Sequence, residues 1–281
     1  MLDVCDLSLA YGRHLAVDRL TLCLPPGQLT ALCGPNGAGK STLLAGLAGD
    51  LVPRSGTIRL NGQDLAAMSP AAQAQARAVL EQSPSLTAAF NVRDLVTLGI
   101  PTWIKPQAAQ ALVTAVLAEL GLAALAQRPV SALSGGQQHR AHFARALAQL
   151  RAGRQSGGGH YLLLDEPTAS LDIGYQIEVM QAAQAEARSG AGVIVVLHDL
   201  NLAAAFADRI VLMQAGRLIA DGRPDAMLTA ARLSALYQTE IAVSEIAGRP
   251  HIRPVFEPGS AGSSRERSAH VHRYEPLSRI A

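Results

Sequence analysis

One run of residues, Gly34-Pro35-Asn36-Gly37-Ala38-Gly39-Lys40-Ser41, constrains this chain more than anything else in it. It fits the pattern GxxxxGK[ST] and lies between an apolar strand ending at Cys33 and a helix beginning at Ser41. In that setting successive backbone N–H groups point into one concavity and the helix N-terminus adds a favourable dipole, so phosphate oxygens bind there. The pattern sends Lys40 to the β- and γ-phosphates of a nucleotide and Ser41 to Mg²⁺. The stretch from Gly34 through Thr42 is therefore the expected nucleotide-binding segment, and the fold around it must be α/β. A glycine-rich turn without a ligand is the alternative, and the flanking strand and helix argue against it.

Composition narrows the class further. With 281 residues, 49% of them hydrophobic and 16% charged, the chain can bury one large α/β core or two smaller ones. The net charge of +2 comes from mixed charges without a dense Lys/Arg block, so nucleic acid is not an expected partner. The three cysteines, Cys5, Cys23 and Cys33, form no CxxC pair and read as buried, reduced thiols. The start of the chain, with Asp3 and Asp6, lacks a secretory signal pattern. No stretch reaches the roughly 18 apolar residues of a spanning helix, so a cytosolic location is expected, with any membrane work left to a partner.

Alternation over residues 2 to 33 (Val4, Leu7, Leu9; Leu20, Leu22, Leu24) predicts antiparallel strands leading into the core strand at Leu29 to Cys33. Thr57 to Leu60 followed by Asn61-Gly62 predicts a hairpin, since Asn-Gly readily takes positive φ. From Pro106 to about Gln127, Leu112, Val116, Leu117 and Leu120 mark one buried helical stripe. Tyr161 to Leu164 and Val193 to Leu197 are unbroken apolar runs suited to parallel strands covered on both faces. Residues 151 to 160, rich in Gly and Arg, read as a mobile surface loop, and residues 258 to 281 as a disordered tail.

The run Tyr161-Leu162-Leu163-Leu164 ends in Asp165-Glu166. A strand delivering Asp165 beside the phosphate loop lets that carboxylate hold Mg²⁺ through water, while Glu166, on the other side, serves as base toward an attacking water. An isolated acidic pair at a strand end is commonly a helix cap or a surface charge; beside a phosphate loop it becomes catalytic.

Upstream of that strand, Leu133-Ser134-Gly135-Gly136-Gln137 matches the LSGGQ signature, and over residues 1 to about 250 the chain resembles the ABC ATPases. The resemblance implies a P-loop ATPase fold with a mixed core sheet, an antiparallel β-subdomain and a helical signature subdomain at about 83–150, within a domain covering 1–257. It assigns Tyr11 to adenine stacking, Gln82 to the Q-loop and a metal-side position, Ser170-Leu171-Asp172 to the D-loop, and His198 to the switch that senses the γ-phosphate. Lys40, Glu166 and His198 are then the catalytic set. Ser41, Gln82 and Asp165 face the metal, and Ser134, Gly135, Gly136 and Gln137 bind nucleotide. Tyr11 could equally be a plain strand-end aromatic, Gln82 a loop side chain, and His198 a core histidine.

Ser134-Gly135-Gly136 at a helix start offers a hydroxyl, free amides and a positive dipole, which is half of an anion site. The family resemblance implies a head-to-tail homodimer in which each signature closes the other chain's ATP site. Gln138 is followed by His139 where Arg is usual, and Arg140 comes one place later. His139 and His142 could hold a metal, but an amphipathic helix exposes such histidines routinely, and the same holds for His270 and His272 in the tail.

The stretches Leu171 to Gln176, Val195 to Leu202 and Phe206 to Arg209 look like ATPases of the iron-siderophore, cobalamin and haem importers, and the widened 151–160 segment looks most like the haem-import subunits. That implies a peripheral subunit on the cytoplasmic face of the inner membrane. It would energise two copies of a polytopic permease fed by a periplasmic or surface binding protein, with siderophore or cobalamin as the alternative cargo. Ser83 to Val92 is loop-like, and Leu86 and Phe90 could line a groove for a permease helix with Gln82 as relay; Phe90 as plain core is the alternative. A soluble DNA-acting or ribosome-associated ATPase would need coiled-coil insertions, zinc cysteines or a second ATP module. A non-hydrolysing regulator would lack Glu166 or His198.

Overall fold

The computed structural model describes residues 1–82, 90–169 and 171–256. The expected tail at 258–281 with His270 and His272, the groove residue Leu86, and Ser170 lie outside the described residues. Alternating burial makes β1 (Leu2–Tyr11) and β2 (His14–Leu24) an antiparallel pair, followed by the wholly buried β3 (Leu29–Cys33) and by α1 (Lys40–Ala48). Then come β4 (Ser55–Leu60) and β5 (Gln63–Asp64), joined at Asn61 and Gly62, whose φ values of 51° and 81° are those of the expected hairpin turn. They lead to α2 (Pro70–Ala76), β6 (Arg77–Leu80), α3 (Val92–Thr97), α4 (Pro106–Glu119), α5 (Gly135–Gln155) and β7 (Tyr161–Asp165). After these run α6 (Ile173–Arg188), β8 (Gly192–Val196), α7 (Leu200–Phe206), β9 (Arg209–Gln214), β10 (Arg217–Gly222), α8 (Pro224–Met227), α9 (Ala230–Tyr237) and the hairpin β11 (Ile241–Ile246) and β12 (Arg249–Pro254).

The central sheet has the order β10-β9-β3-β8-β7-β6, parallel throughout except for the antiparallel β10 edge; a separate antiparallel sheet runs β2-β1-β4-β5. Because strand side chains alternate, the central sheet serves two cores. Leu162, Leu164, Val193 and Val195 face the cluster that includes α3 to α7, whereas Leu163, Ile194, Val196 and Leu32 face α1 and the antiparallel sheet. Parallel order brings the C-terminal ends of β3, β8 and β7 to one edge, which is where ligands bind in open α/β sheets.

Three sequence expectations are corrected. Cys33 is buried, but Cys5 and Cys23 are exposed, because alternation along β1 and β2 turns both to the outer face while Val4, Leu22 and Leu24 turn inward. Residues 151 to 155 are not loop: α5 continues to Gln155, and Arg151 and Arg154 each reach the buried carboxylate of Glu186 at 2.7 Å, with Arg151 also holding Glu119. The glycines then allow backbone contact, since a Cβ on Gly153 would stand 2.6 Å from the Gln75 carbonyl oxygen and Gly159 donates to that same oxygen. Finally, His142 is buried in the helix interface, not exposed; neither ring nitrogen of His139 and only Nε2 of His142 escapes burial without a partner. Among the described residues no group of three or more His, Cys, Asp or Glu is placed to hold a metal, and no helix is long and apolar enough to cross a membrane.

Candidate active site

The phosphate loop follows β3 and is shaped by backbone contacts that only glycine permits. Gly34 has φ +148° and a Cβ there would lie 2.1 Å from the Met213 carbonyl oxygen; Gly39 has φ +94° and a Cβ would meet the Ala16 carbonyl oxygen at 2.3 Å. The loop opens into a cavity of about 470 Å³ lined by Asn36 to Thr42, Gln82, Glu166 and His198. Lys40 is 5% exposed, and its ammonium donates to the carbonyls of Gly34 (2.9 Å) and Pro35 (3.0 Å). Burial draws its pKa below the ordinary lysine value, against the opposing pull of Cys33, Glu166 and Asp165.

Ser41, in the first turn of α1, donates from Oγ to Asp165 Oδ1 at 3.0 Å, so the strand-end acid sits beside the phosphate loop as the sequence suggests. Burial raises the Asp165 pKa, while the Ser41 bond and the Lys40 and His198 charges lower it. One residue on, Glu166 takes φ 49°, a left-handed conformation unusual for a side chain with a Cβ, and its carboxylate is directed elsewhere. Gln82 Nε2 donates to Glu166 Oε2 at 2.9 Å, and His198 Nε2 lies 2.6 Å from Glu166 Oε1. An amide from the end of β6 and an imidazole from the end of β8 therefore converge at the cavity wall on one carboxylate that follows β7. That direct Gln82 to Glu166 contact is not legible in the sequence, which spaces the two 84 residues apart.

Other expected site residues stand apart within this single chain. Tyr11 is exposed at the end of β1, outside the cavity wall. Ser134 caps α5, accepting from the Gln137 amide at 3.3 Å while the Gln137 side chain accepts from the Ser134 amide. Ser134 and Gly135 are exposed and Gly136 and Gln137 half-buried, and none of them lines the cavity. Asp172 caps α6 through the Tyr175 amide. Phe90 is packed against the main core, which favours the plain core reading over the groove.

The fold and the cavity define a phosphate-loop nucleotide-binding protein of the α/β class. A family model described as ABC transporter matches residues 17–169. Hemin import ATP-binding protein HmuV of Rhodopseudomonas palustris is 46% identical over 248 residues, covering 88% of this chain and 92% of that protein. The protein of the same name from Bradyrhizobium diazoefficiens is 40% identical over 265 residues, covering 94% of this chain and 98% of its own length. A solved metal-chelate type ABC transporter in an inward-facing conformation aligns at 27% identity and TM-score 0.72 over 91% of this chain and 97% of that one. A solved ATP binding subunit of an ABC transporter aligns at 25% identity and TM-score 0.74, over 85% of this chain and 98% of the other. The chain belongs to the ABC transporter family, with an ATP-binding domain and the ATPase activity of that family coupled to transport.

Proposed function

We propose that this chain is the ATP-hydrolysing subunit of a haem importer, acting as a homodimer on the cytoplasmic face of the inner membrane against two copies of a polytopic permease. The observation that carries the hydrolytic part is the convergence of Gln82 and His198 on the Glu166 carboxylate beside the phosphate loop. The loop amides from Gly34 to Gly39 and the Lys40 ammonium bind the phosphates. The Ser41 hydroxyl and Asp165 carboxylate are a hard oxygen pair that fits Mg²⁺, with Gln82 nearby; the ion, when bound, neutralises phosphate charge. Glu166 accepts the proton of the attacking water, and His198, hydrogen-bonded to it, holds that carboxylate in place and meets the γ-phosphate.

Tyr11 stacks on adenine, and Ser134 to Gln137 of one subunit complete the site of the other. Residues 1–257 form the ATPase domain, with the helical signature part at about 83–150 and the tail at 258–281 outside it. The permease meets the helical part of the chain, where Leu98 and Trp103 are 56% and 51% exposed and line a groove with Ile100 and Pro101. Haem as cargo is supported by the names of the relatives, which align along most of their length. A permease and binding protein encoded next to this chain, reconstituted with it in vesicles, test the cargo. ATP-dependent uptake of hemin supports the reading, and uptake of a ferric siderophore or cobalamin but not hemin overturns it.

A further inference from the structure

Arg140 lies one turn into α5 and is 6% exposed, yet no salt bridge is recorded for it among the described residues. Its Nη1 donates to the Leu120 carbonyl at 3.1 Å, just past the end of α4, and its Nε is buried without a partner. What faces the charge is an aromatic ring: the guanidinium carbon sits 3.3 Å from the centroid of Tyr175 in the first turn of α6. A buried cation needs compensation, and the electron-rich face of a tyrosine supplies it where water is excluded.

Tyr175 has a second attachment. Its backbone N–H donates to Asp172 Oδ1 at 3.0 Å, so the residue that carries Arg140 also fixes the cap of α6. One turn earlier on α5, a Cβ at Gly136 would lie 3.4 Å from Leu171 Cδ2. Residues 136 and 140, one turn apart on α5, thus meet Leu171 just before the cap of α6 and Tyr175 in its first turn. The two rungs join the Ser134-Gly135-Gly136 start of α5, whose first two residues are exposed, to the segment that opens α6.

We infer that Arg140 and Tyr175 are a positioning pair that holds the signature end of α5 in register with the start of α6, so that the signature is presented to the partner's nucleotide. This rests on the homodimer reading above. The pair touches neither the chain's own phosphate loop nor the lining of its own cavity, so its loss should spare ATP binding by a single chain and weaken closure between chains. The aromatic face is the working element, and the tyrosine hydroxyl is dispensable. Lysine cannot replace the arginine, because it lacks the planar head that lies flat on a ring.

The test uses the full chain carrying Glu166→Gln, in which ATP should drive a stable dimer, and adds Tyr175→Phe, Tyr175→Leu or Arg140→Lys. Single-chain ATP affinity, the ATP-dependent dimerisation constant, and kcat in the Glu166 parent are measured for each. Tyr175→Phe should match its parent within about twofold, while Tyr175→Leu and Arg140→Lys should weaken dimerisation and lower kcat by roughly tenfold with ATP affinity changed less than about twofold. Should Tyr175→Leu not fold, Arg140→Lys keeps the buried charge and carries the same comparison. Equal dimerisation by all variants, or equal loss in Tyr175→Phe and Tyr175→Leu, overturns the pair. A Glu166→Gln chain that stays monomeric with saturating ATP overturns instead the dimer reading beneath it.

Discussion

Replacing Glu166 by glutamine removes a base while keeping a side chain of nearly the same size. The carboxylate is 16% exposed and its hydrogen bonds go to Gln82 Nε2 and His198 Nε2. A glutamine keeps an oxygen for the Gln82 donor and fills the same space beside His198, so folding stability should move by no more than about 1 kcal/mol. Neither bond reaches the phosphate loop, and half-saturation by ATP should stay within about threefold of the parent, the residual change being loss of the charge that opposes Lys40 desolvation. The turnover loss is another matter. General-base catalysis contributes typically about 10²–10⁴ in rate, which is roughly 2.7–5.5 kcal/mol of barrier at about 1.36 kcal/mol per factor of ten. Steady-state phosphate release at saturating ATP and Mg²⁺, with binding measured in parallel, checks both halves. Parent-level turnover in Glu166→Gln would remove Glu166 from the base role, and a large loss of ATP affinity would mean the carboxylate is part of the binding site.

Lys40→Ala should differ in kind: it strips a buried ammonium from two loop carbonyls, so ATP affinity and kcat should fall together, read by nucleotide titration and turnover. Glu186→Ala leaves Arg151 and Arg154 facing an empty buried site, and urea unfolding should show a loss of about 3 kcal/mol; a change below about 1 kcal/mol would return 151–155 to loop-like independence. His142 is held neutral by burial, with Arg145 and His139 adding to the effect, and its pKa is lowered to about 4. Because the folded chain binds this proton less readily than the unfolded one, its contribution is complete above about pH 6.5 and is lost as pH falls toward 4. His142→Gln should therefore flatten the acid side of the stability profile by about 1–3 kcal/mol, measured by denaturation between pH 7 and 4.

Much of the site was legible because it is written locally. The glycines of Gly34 to Gly39, the apolar β3 before them and the acid pair closing β7 specify turn, strand and carboxylates within a few residues each. The Asn61-Gly62 hairpin and the buried stripe of α4 follow the same logic, although the helix ends at Glu119 and Val113 is buried where Leu112 is only half so. What failed depends on residues far apart in sequence. Arg151 and Arg154 look like loop residues until Glu186 is placed opposite them, and the glycines at 157–159 signal flexibility unless Gln75 is known to lie against them. The exposed Cys5 and Cys23 are a different case, since plain alternation beside the inward-facing Val4 and Leu22 already turns both outward. The links of Gln82 to Glu166 and of Arg140 to Tyr175 carry no pattern in the sequence at all, since each joins two different elements.

The central claim is that each ATP is hydrolysed by the phosphate loop and Glu166 of one chain together with the signature of another, and two inactive variants test it when mixed. Ser134→Arg leaves its own loop and Glu166 intact but blocks the partner's nucleotide, while Glu166→Gln lacks the base but presents an intact signature. A dimer containing one of each has a single complete site. Phosphate release from the mixture should rise well above the sum of the two variants assayed alone. Parent-level hydrolysis by Ser134→Arg on its own, or a mixture no more active than that sum, would contradict the account.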